Sequence, residues 1–113
     1  MIIRIWSAPV VPRKLDEFCA VLTGQVLTEF GDTDGFEGVE LLRSVNEDDH
    51  RVLVVTRWRD EEAVRGYAGP MWRIRPVWAE GELGYLEHPP RVAHFRPVEP
   101  VPRSESAAPG ENG

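Results

Sequence analysis

Tryptophan, tyrosine, arginine and histidine side chains gather in the second half of this sequence. Trp58 stands where the apolar run VLVVTRW ends and an acidic segment begins. Further along come Tyr67, Trp72, Arg73, Arg75 and His94. Aromatic rings offer flat surfaces and hydrogen-bond donors, arginine a fixed positive charge, and histidine a base with an ordinary pKa of about 6.5. These residue types predict a pocket for a small aromatic molecule, provided that the fold brings them together.

Each of these side chains also has a purely structural interpretation. Trp58 can plug the end of the core between a strand and a helix, and Tyr67 can be an inward-facing core residue. Arg73 and Arg75 can be solvated surface charges, and His94 can be a half-buried strand histidine. The sequence by itself leaves both interpretations open.

Four segments have the β-branched and aromatic composition of strands. The first strand is apolar on both faces, with Ile3 and Ile5 on one side and Ile2, Arg4 and Trp6 on the other. The second and third strands flank the polar turn NEDDH and are predicted to form a hairpin. The predicted strands cover residues 2–10, 36–45, 51–58 and 91–98.

Two main helices are predicted between these strands. The first begins at Pro12, a residue suited to a first helical turn, and its apolar residues recur at three- and four-residue steps as far as Phe30. The second begins after the N-cap candidate Asp60 and ends at Gly69. Residues 71–90 are too apolar for a plain loop but are interrupted by proline and glycine, so they predict a short irregular helix.

The resulting order is strand, helix, strand, strand, helix, short helix, strand. This order predicts a ferredoxin-like α+β sandwich, an antiparallel sheet with both main helices on one face. Because the sheet is apolar on both faces, its second face should be buried against an identical chain, which predicts a homodimer. Residues 99–113 are rich in proline, glycine and serine and predict a disordered tail after a single domain of residues 1–98.

Composition excludes several classes of function. The chain has 113 residues and a net charge of -6, which gives no basic field for nucleic acid. Its single cysteine excludes an internal disulfide, and its three histidines lack a metal-ligand spacing, so we expect no metal. No apolar run reaches the ~18 residues of a membrane span, and no signal-peptide pattern opens the chain. We therefore expect a cytoplasmic protein that binds neither membrane nor nucleic acid.

The segment VLVVTRWRDEEAVRGYAG, together with GFEGVELLRS and RVAHFRPV, resembles the antibiotic biosynthesis monooxygenase family of dimeric α/β barrels. The resemblance spans about residues 1–98. It implies a homodimer with a ligand cavity between the sheet and the helices of each subunit. It also implies a cofactor-independent monooxygenase that acts on an aromatic or polyketide-like molecule of the anthrone or hydroquinone type.

The resemblance carries over residue by residue only in part. In the anthrone oxygenases of the family, an asparagine, a tryptophan four residues later and a more distant arginine act on the substrate. Trp58 matches the tryptophan, Val54 stands at the asparagine position, and Arg73 or Arg75 matches the arginine approximately. Haem-degrading members need an asparagine in the first strand, a tryptophan in the second helix and a histidine shortly after it. This chain has no asparagine in the first strand, Tyr67 in the helix and no histidine between residues 51 and 87, so no cofactor is expected.

We therefore expect catalytic roles for Trp58, Arg75 and His94, with His94 as the base and the indole edge of Trp58 at the ligand. Substrate-binding roles are expected for Trp6, Val54, Tyr67, Trp72 and Arg73. Because the asparagine position is Val54, two other functions remain open. One is a non-redox polyketide cyclase or isomerase that uses the same cavity, and the other is a non-catalytic small-ligand-binding accessory protein.

Overall fold

A computed structural model of the chain describes residues 1–77 and 80–98, except for the side chains of residues 26–29 and 80. The elements follow the predicted order, with four strands, two α-helices and short 3₁₀ turns at Pro12–Lys14 and Glu80–Tyr85. The strands are β1 (Ile2–Pro9), β2 (Phe36–Arg43), β3 (Arg51–Trp58) and β4 (Arg91–Phe95). The helices are α1 (Leu15–Phe30) and α2 (Glu61–Ala68). Trp78 and the predicted tail, residues 99–113, lie outside the described residues.

The four strands form one antiparallel sheet in the order β2-β3-β1-β4, which confirms the ferredoxin-like α+β fold. The predicted hairpin is present, because β2 and β3 pair directly. Three strands are shorter than predicted: β1 stops at Pro9, β2 at Arg43 and β4 at Phe95. In β4, the following Pro97 has no backbone N–H to donate to a neighbouring strand, so the prediction of a strand to residue 98 was wrong.

Helix α2 is fixed at both ends by the residues that the sequence indicated. The side chain of Asp60 accepts a hydrogen bond from the backbone N–H of Ala63 at 2.9 Å, which confirms Asp60 as the N-cap. Gly69 follows the helix with φ of 90°, a conformation that favours glycine. Gly35, at φ of 82°, allows close packing of the turn before β2 on this helix, since a Cβ there would overlap Cβ of Ala63.

The side chains of β1 point alternately into the core and towards the opposite face of the sheet. Its residues are alternately buried and half-buried, and the buried set is Ile2, Arg4, Trp6 and Ala8. The helices pack over this face and divide the core into two hydrophobic clusters. One cluster surrounds Trp58 together with Phe30, Val64 and Trp72, and the other surrounds Trp6, Phe18, Leu22 and Val52. Arg4, between Ile2 and Trp6 in sequence, lies where the two clusters meet.

The opposite face of the sheet carries no helix among the described residues. Its apolar side chains follow from the strand registers, in which Ile5 faces both Val55 and Ala93, and Leu42 faces Leu53. Several of them are well exposed, including Leu42 at 46% and Phe95 at 53%. The sequence-based prediction of a second apolar face is therefore confirmed.

Residues 71–90 include the short irregular helix that the sequence predicted, as the 3₁₀ turn Glu80–Tyr85. Residues 71–74 form a turn that follows Gly69, and the backbone N–H of Trp72 donates to the Gly69 carbonyl at 3.1 Å. No helix within residues 1–77 and 80–98 is long and apolar enough to cross a membrane.

Candidate functional site

A cavity of about 40 Å³ lies between the sheet and the helices. It sits at the junction of the two hydrophobic clusters, since Phe30 and Tyr67 of one cluster and Trp6 and Leu41 of the other share its wall. The inner faces of β1, β2 and β3 form its floor. Its full lining comprises Arg4, Trp6, Leu22, Gln25, Phe30, Leu41, Val54, Thr56, Tyr67, Val77 and Glu82. The cavity is therefore mostly apolar with a few polar groups, which is the usual composition of a small-ligand site.

Arg4 is the charged group at the centre of this site. Its side chain is only 3% exposed, and its guanidinium donates from Nη1 to the Trp72 carbonyl at 2.9 Å and from Nη2 to the Arg75 carbonyl at 3.0 Å. Nη1 also contacts Nε2 of His94 at 2.9 Å. Burial lowers the pKa of Arg4, and the phenol of Tyr67 opposes that change. An arginine nevertheless stays protonated in proteins, so β1 places a fixed positive charge beside the cavity.

His94 lies behind Arg4. The two residues face each other across the β1–β4 pairing, and the imidazole packs edge-on against the Trp72 ring at 4.7 Å between ring centroids. Partial burial, followed by the positive charges of Arg4 and Arg73, lowers the pKa of His94 to about 4. The imidazole is thus neutral near pH 7, and its Nε2 serves as an acceptor for Arg4.

Trp58 occupies the end of the core. Its side chain is fully buried, and its indole N–H donates to Oγ1 of Thr56 at 2.8 Å. Tyr67 stacks on it at 5.1 Å between ring centroids. Thr56 in turn lies on the cavity wall and donates to the Arg4 carbonyl at 3.3 Å. The N–H of Trp58 is therefore engaged with a wall residue rather than directed at the cavity.

Trp6 differs from Trp58 in its hydrogen bonding. It lines the cavity and is 7% exposed, and its indole Nε1 is buried without an acceptor among the described protein groups. Such a buried donor costs free energy unless a water or a ligand supplies the missing acceptor. In β1, Trp6 is the direct cross-strand neighbour of Val54 in β3, and both side chains lie on the cavity wall.

The structure brings together part of the set of residues selected from the sequence. Trp6, Val54 and Tyr67 line the cavity. Trp72 is 3% exposed and contributes its carbonyl to Arg4. The exposed Arg73 pairs with Glu61 at 3.2 Å and lies over the Trp72 ring, and Arg75 contributes its backbone carbonyl while its side chain is exposed.

Sequence reasoning did not select Arg4, Thr56 or Glu82 as site residues. Arg4 had a detectable signal, because it alternates with Ile2 and Trp6 on the inner face of an apolar strand. Glu82 is 6% exposed on the cavity wall, yet it comes from the irregular segment, where the sequence pattern does not indicate which side chains are buried. Within residues 1–77 and 80–98, no group of three or more His, Cys, Asp or Glu side chains could hold a metal ion.

The four-stranded sheet, the helices on one face and the cavity between them define a ferredoxin-like α+β protein with an internal cavity. The family model of antibiotic biosynthesis monooxygenases matches residues 1–69, and the chain belongs to this family. The match ends just after α2. Glu82, His94 and the two residues whose carbonyls accept from Arg4, Trp72 and Arg75, therefore lie beyond it. A search of functionally curated proteins found no significant match.

Solved structures show the same fold. A monooxygenase from the ActVA-Orf6 gene of Streptomyces coelicolor, in complex with the ligand nanaomycin D, superposes with a TM-score of 0.65 at 21% identity, over 88% of this chain and 89% of its own. Putative antibiotic biosynthesis monooxygenases give similar values. That from Bordetella bronchiseptica has a TM-score of 0.64 at 27% identity, covering 87% of this chain and 97% of its own. That from Caulobacter crescentus has a TM-score of 0.66 at 18% identity, covering 87% and 90%.

Proposed function

We propose that this protein is a cofactor-independent monooxygenase that oxidises an electron-rich aromatic molecule, of the anthrone or hydroquinone type, in the cavity beside Arg4. The observation that carries the proposal is the cavity itself, which combines aromatic walls with one buried positive charge in a member of a monooxygenase family. The related Streptomyces protein was solved with nanaomycin D bound, which supports an aromatic ligand.

The proposed reaction needs no electrons from a cofactor, because the substrate supplies them. An anthrone loses a proton from its CH₂ group, and the resulting anion passes one electron to O₂. The two radicals combine into a peroxide anion, which takes up the proton lost in the first step to form a hydroperoxide. The hydroperoxide then loses water to leave a ketone. One O₂ is consumed, one of its atoms enters the product and the other leaves as water. The protein contributes orientation, exclusion of bulk water and stabilisation of the anion.

The free cavity is too small for this substrate. A volume of about 40 Å³ holds about three waters, since each needs roughly 10 to 15 Å³. An aromatic molecule therefore binds by displacing water and moving lining side chains. We expect the rates of binding to be well below the diffusion limit for this reason.

The oxygen balance provides the test. The protein is incubated with 1,8-dihydroxyanthrone under ¹⁸O₂ in the presence of a chelator, and the anthraquinone is analysed by mass spectrometry. We expect one ¹⁸O atom per product molecule and one O₂ consumed per turnover, at a rate above the spontaneous oxidation. Product labelled from water, or no rate above the spontaneous one, would refute the proposal. Binding without oxygen uptake would instead indicate the accessory-protein function.

We also propose that the protein acts as a homodimer joined through the outer face of the sheet. That face presents apolar side chains that would gain about 25 cal/mol per Å² when removed from water. The apolar residues on it are Ile3, Ile5, Leu42, Leu53, Val55, Ala93 and Phe95. Sedimentation that shows a folded monomer at micromolar concentration would contradict this.

A further inference from the structure

The three contacts of Arg4 engage three of its N–H donors without supplying a negative charge. Two are backbone carbonyl oxygens, and the third is an imidazole nitrogen that is neutral near pH 7. An arginine has five N–H donors, so two of them lie outside these three contacts. A guanidinium held in this way is fixed in position, while its charge remains available to a ligand oxygen in the cavity that it lines.

Trp6 also lines this cavity, and its indole N–H is a second donor. It is two residues from Arg4 on the same face of β1, and it has no acceptor among the described protein groups. Arg4 and Trp6 thus present a charged and a neutral donor from one rigid strand. Two fixed donors of this kind suit an oxygen that carries or develops negative charge.

Glu82 is a carboxyl group on the wall of the same small cavity, and it is 6% exposed. Because Arg4 and Glu82 line the same cavity, an aromatic molecule that fills it lies beside both groups. A carboxylate there can accept a proton from the substrate. The negative charge then moves from Glu82 to the substrate oxygen beside Arg4, so the net charge of the site does not change.

We propose that the cavity selects aromatic substrates that lose a proton to Glu82 and are then held as an oxyanion, with Arg4 and Trp6 as the donors to the anionic oxygen. This inference rests on the proposed function and specifies its substrate class. The step breaks one O–H or C–H bond of the substrate and forms the O–H bond of the Glu82 carboxyl group, and both electrons of the broken bond stay on the substrate. His94 is a positioning residue, since it acts on the ligand only through Arg4.

A matched pair of ligands separates charge recognition from ring recognition. At pH 7.5, 2-hydroxy-1,4-naphthoquinone is an anion, whereas 2-methoxy-1,4-naphthoquinone has the same rings and no charge. Calorimetric titration should show that the wild-type protein binds the anion more tightly by about tenfold to a hundredfold, as expected for charge-assisted hydrogen bonds. Arg4→Gln should lose this preference and keep the affinity for the methoxy compound.

Controls keep the test valid if Arg4→Gln folds poorly. Arg43→Gln removes the same charge from an exposed arginine that pairs with Asp16, and it should leave the preference unchanged. Arg4→Lys keeps the charge but not the planar fork, and it should retain part of the preference. If the wild-type protein binds both compounds equally, the inference is overturned while the aromatic cavity stands. If neither compound binds at millimolar concentration, the proposed function fails and the inference fails with it.

Glu82→Gln gives an independent test with effects of opposite sign. The substitution removes a like charge, so binding of the naphthoquinone anion should tighten severalfold. It also removes the proton acceptor, so oxidation of 1,8-dihydroxyanthrone should slow by about a hundredfold or more. An unchanged rate of oxidation would overturn the role of Glu82.

Discussion

The two buried tryptophans allow a paired substitution in which only the hydrogen bonding differs. Trp58→Phe and Trp6→Phe remove the same atoms from side chains that are 0% and 7% exposed, so their cavity costs are similar. Trp58→Phe also breaks the 2.8 Å bond to Thr56, which costs about 1 kcal/mol. Trp6→Phe removes a donor that has no acceptor among the described protein groups, and it recovers part of a desolvation cost of about 1–3 kcal/mol.

We therefore expect Trp58→Phe to lower the free energy of unfolding by about 2 kcal/mol more than Trp6→Phe does. Urea unfolding at pH 7.5, with equal slopes for both variants, measures this difference. Binding of the naphthoquinone anion should show the opposite order, because the proposal assigns only the Trp6 N–H to the ligand, whereas that of Trp58 is bonded to Thr56. If Trp6→Phe is the more destabilising variant and binds the anion like the wild type, then Trp6 is only a core residue and the argument for its role at the site is wrong.

Three further predictions concern the turn before β2, the pH dependence and the outer face. Gly35→Ala should destabilise the protein by about 2–4 kcal/mol in urea unfolding, because φ is 82° and the new Cβ overlaps Ala63. Gly66→Ala is the control and should not destabilise the protein, since a Cβ at Gly66 would meet no tertiary neighbour within 4 Å. The free energy of unfolding should fall by about 1–2 kcal/mol, after allowance for solvent screening, as the pH drops from 6.5 to 4. The reason is that His94 has a pKa of about 4 in the folded protein, so the unfolded chain binds the proton first. His94→Gln should remove this part of the pH dependence, and an unchanged dependence of stability on pH in the variant would contradict the prediction. Phe95→Glu should shift the sedimentation coefficient towards the monomer, and Val45→Glu, at a 96% exposed position, should not.

The fold was predictable because its signals are local. Alternation in the strands, the three- and four-residue steps of α1, and the Asp60 and Gly69 caps each involve neighbouring residues. The ends of β1, β2 and β4 were placed too late, since apolar composition continues past the last residue that pairs with a neighbouring strand. Pairing depends on a partner strand that is distant in sequence, and composition does not report it.

The sequence indicated three residues that line the cavity. Trp6 is on the same face of β1 as Ile2 and Arg4, Val54 stands at the asparagine position of the family pattern, and Tyr67 is an inward-facing aromatic residue of the second helix. Arg4 had the same parity, but its carbonyl partners are 68 and 71 residues away and His94 is 90 residues away. No spacing in the sequence indicates that these groups surround a buried guanidinium. Alternation with Ile2 and Trp6 indicates the face on which Arg4 lies, but not the groups that it contacts there.

The pairing of Trp6 with Val54 explains how the site can work without the asparagine expected from the family pattern. Val54 is apolar, so the wall of β3 offers no polar side chain at that position. Its direct neighbour across the β1–β3 ladder is Trp6, whose buried indole N–H has no acceptor within the part of the chain that the structure describes. We infer that the donor has moved from one strand to the next within the same wall. Val54→Asn would place a second donor beside Trp6, so this variant should tighten binding of the naphthoquinone anion when Trp6 is intact and restore it when Trp6 is replaced by phenylalanine. Failure to restore binding in the double variant would show that the two positions do not serve the same ligand oxygen.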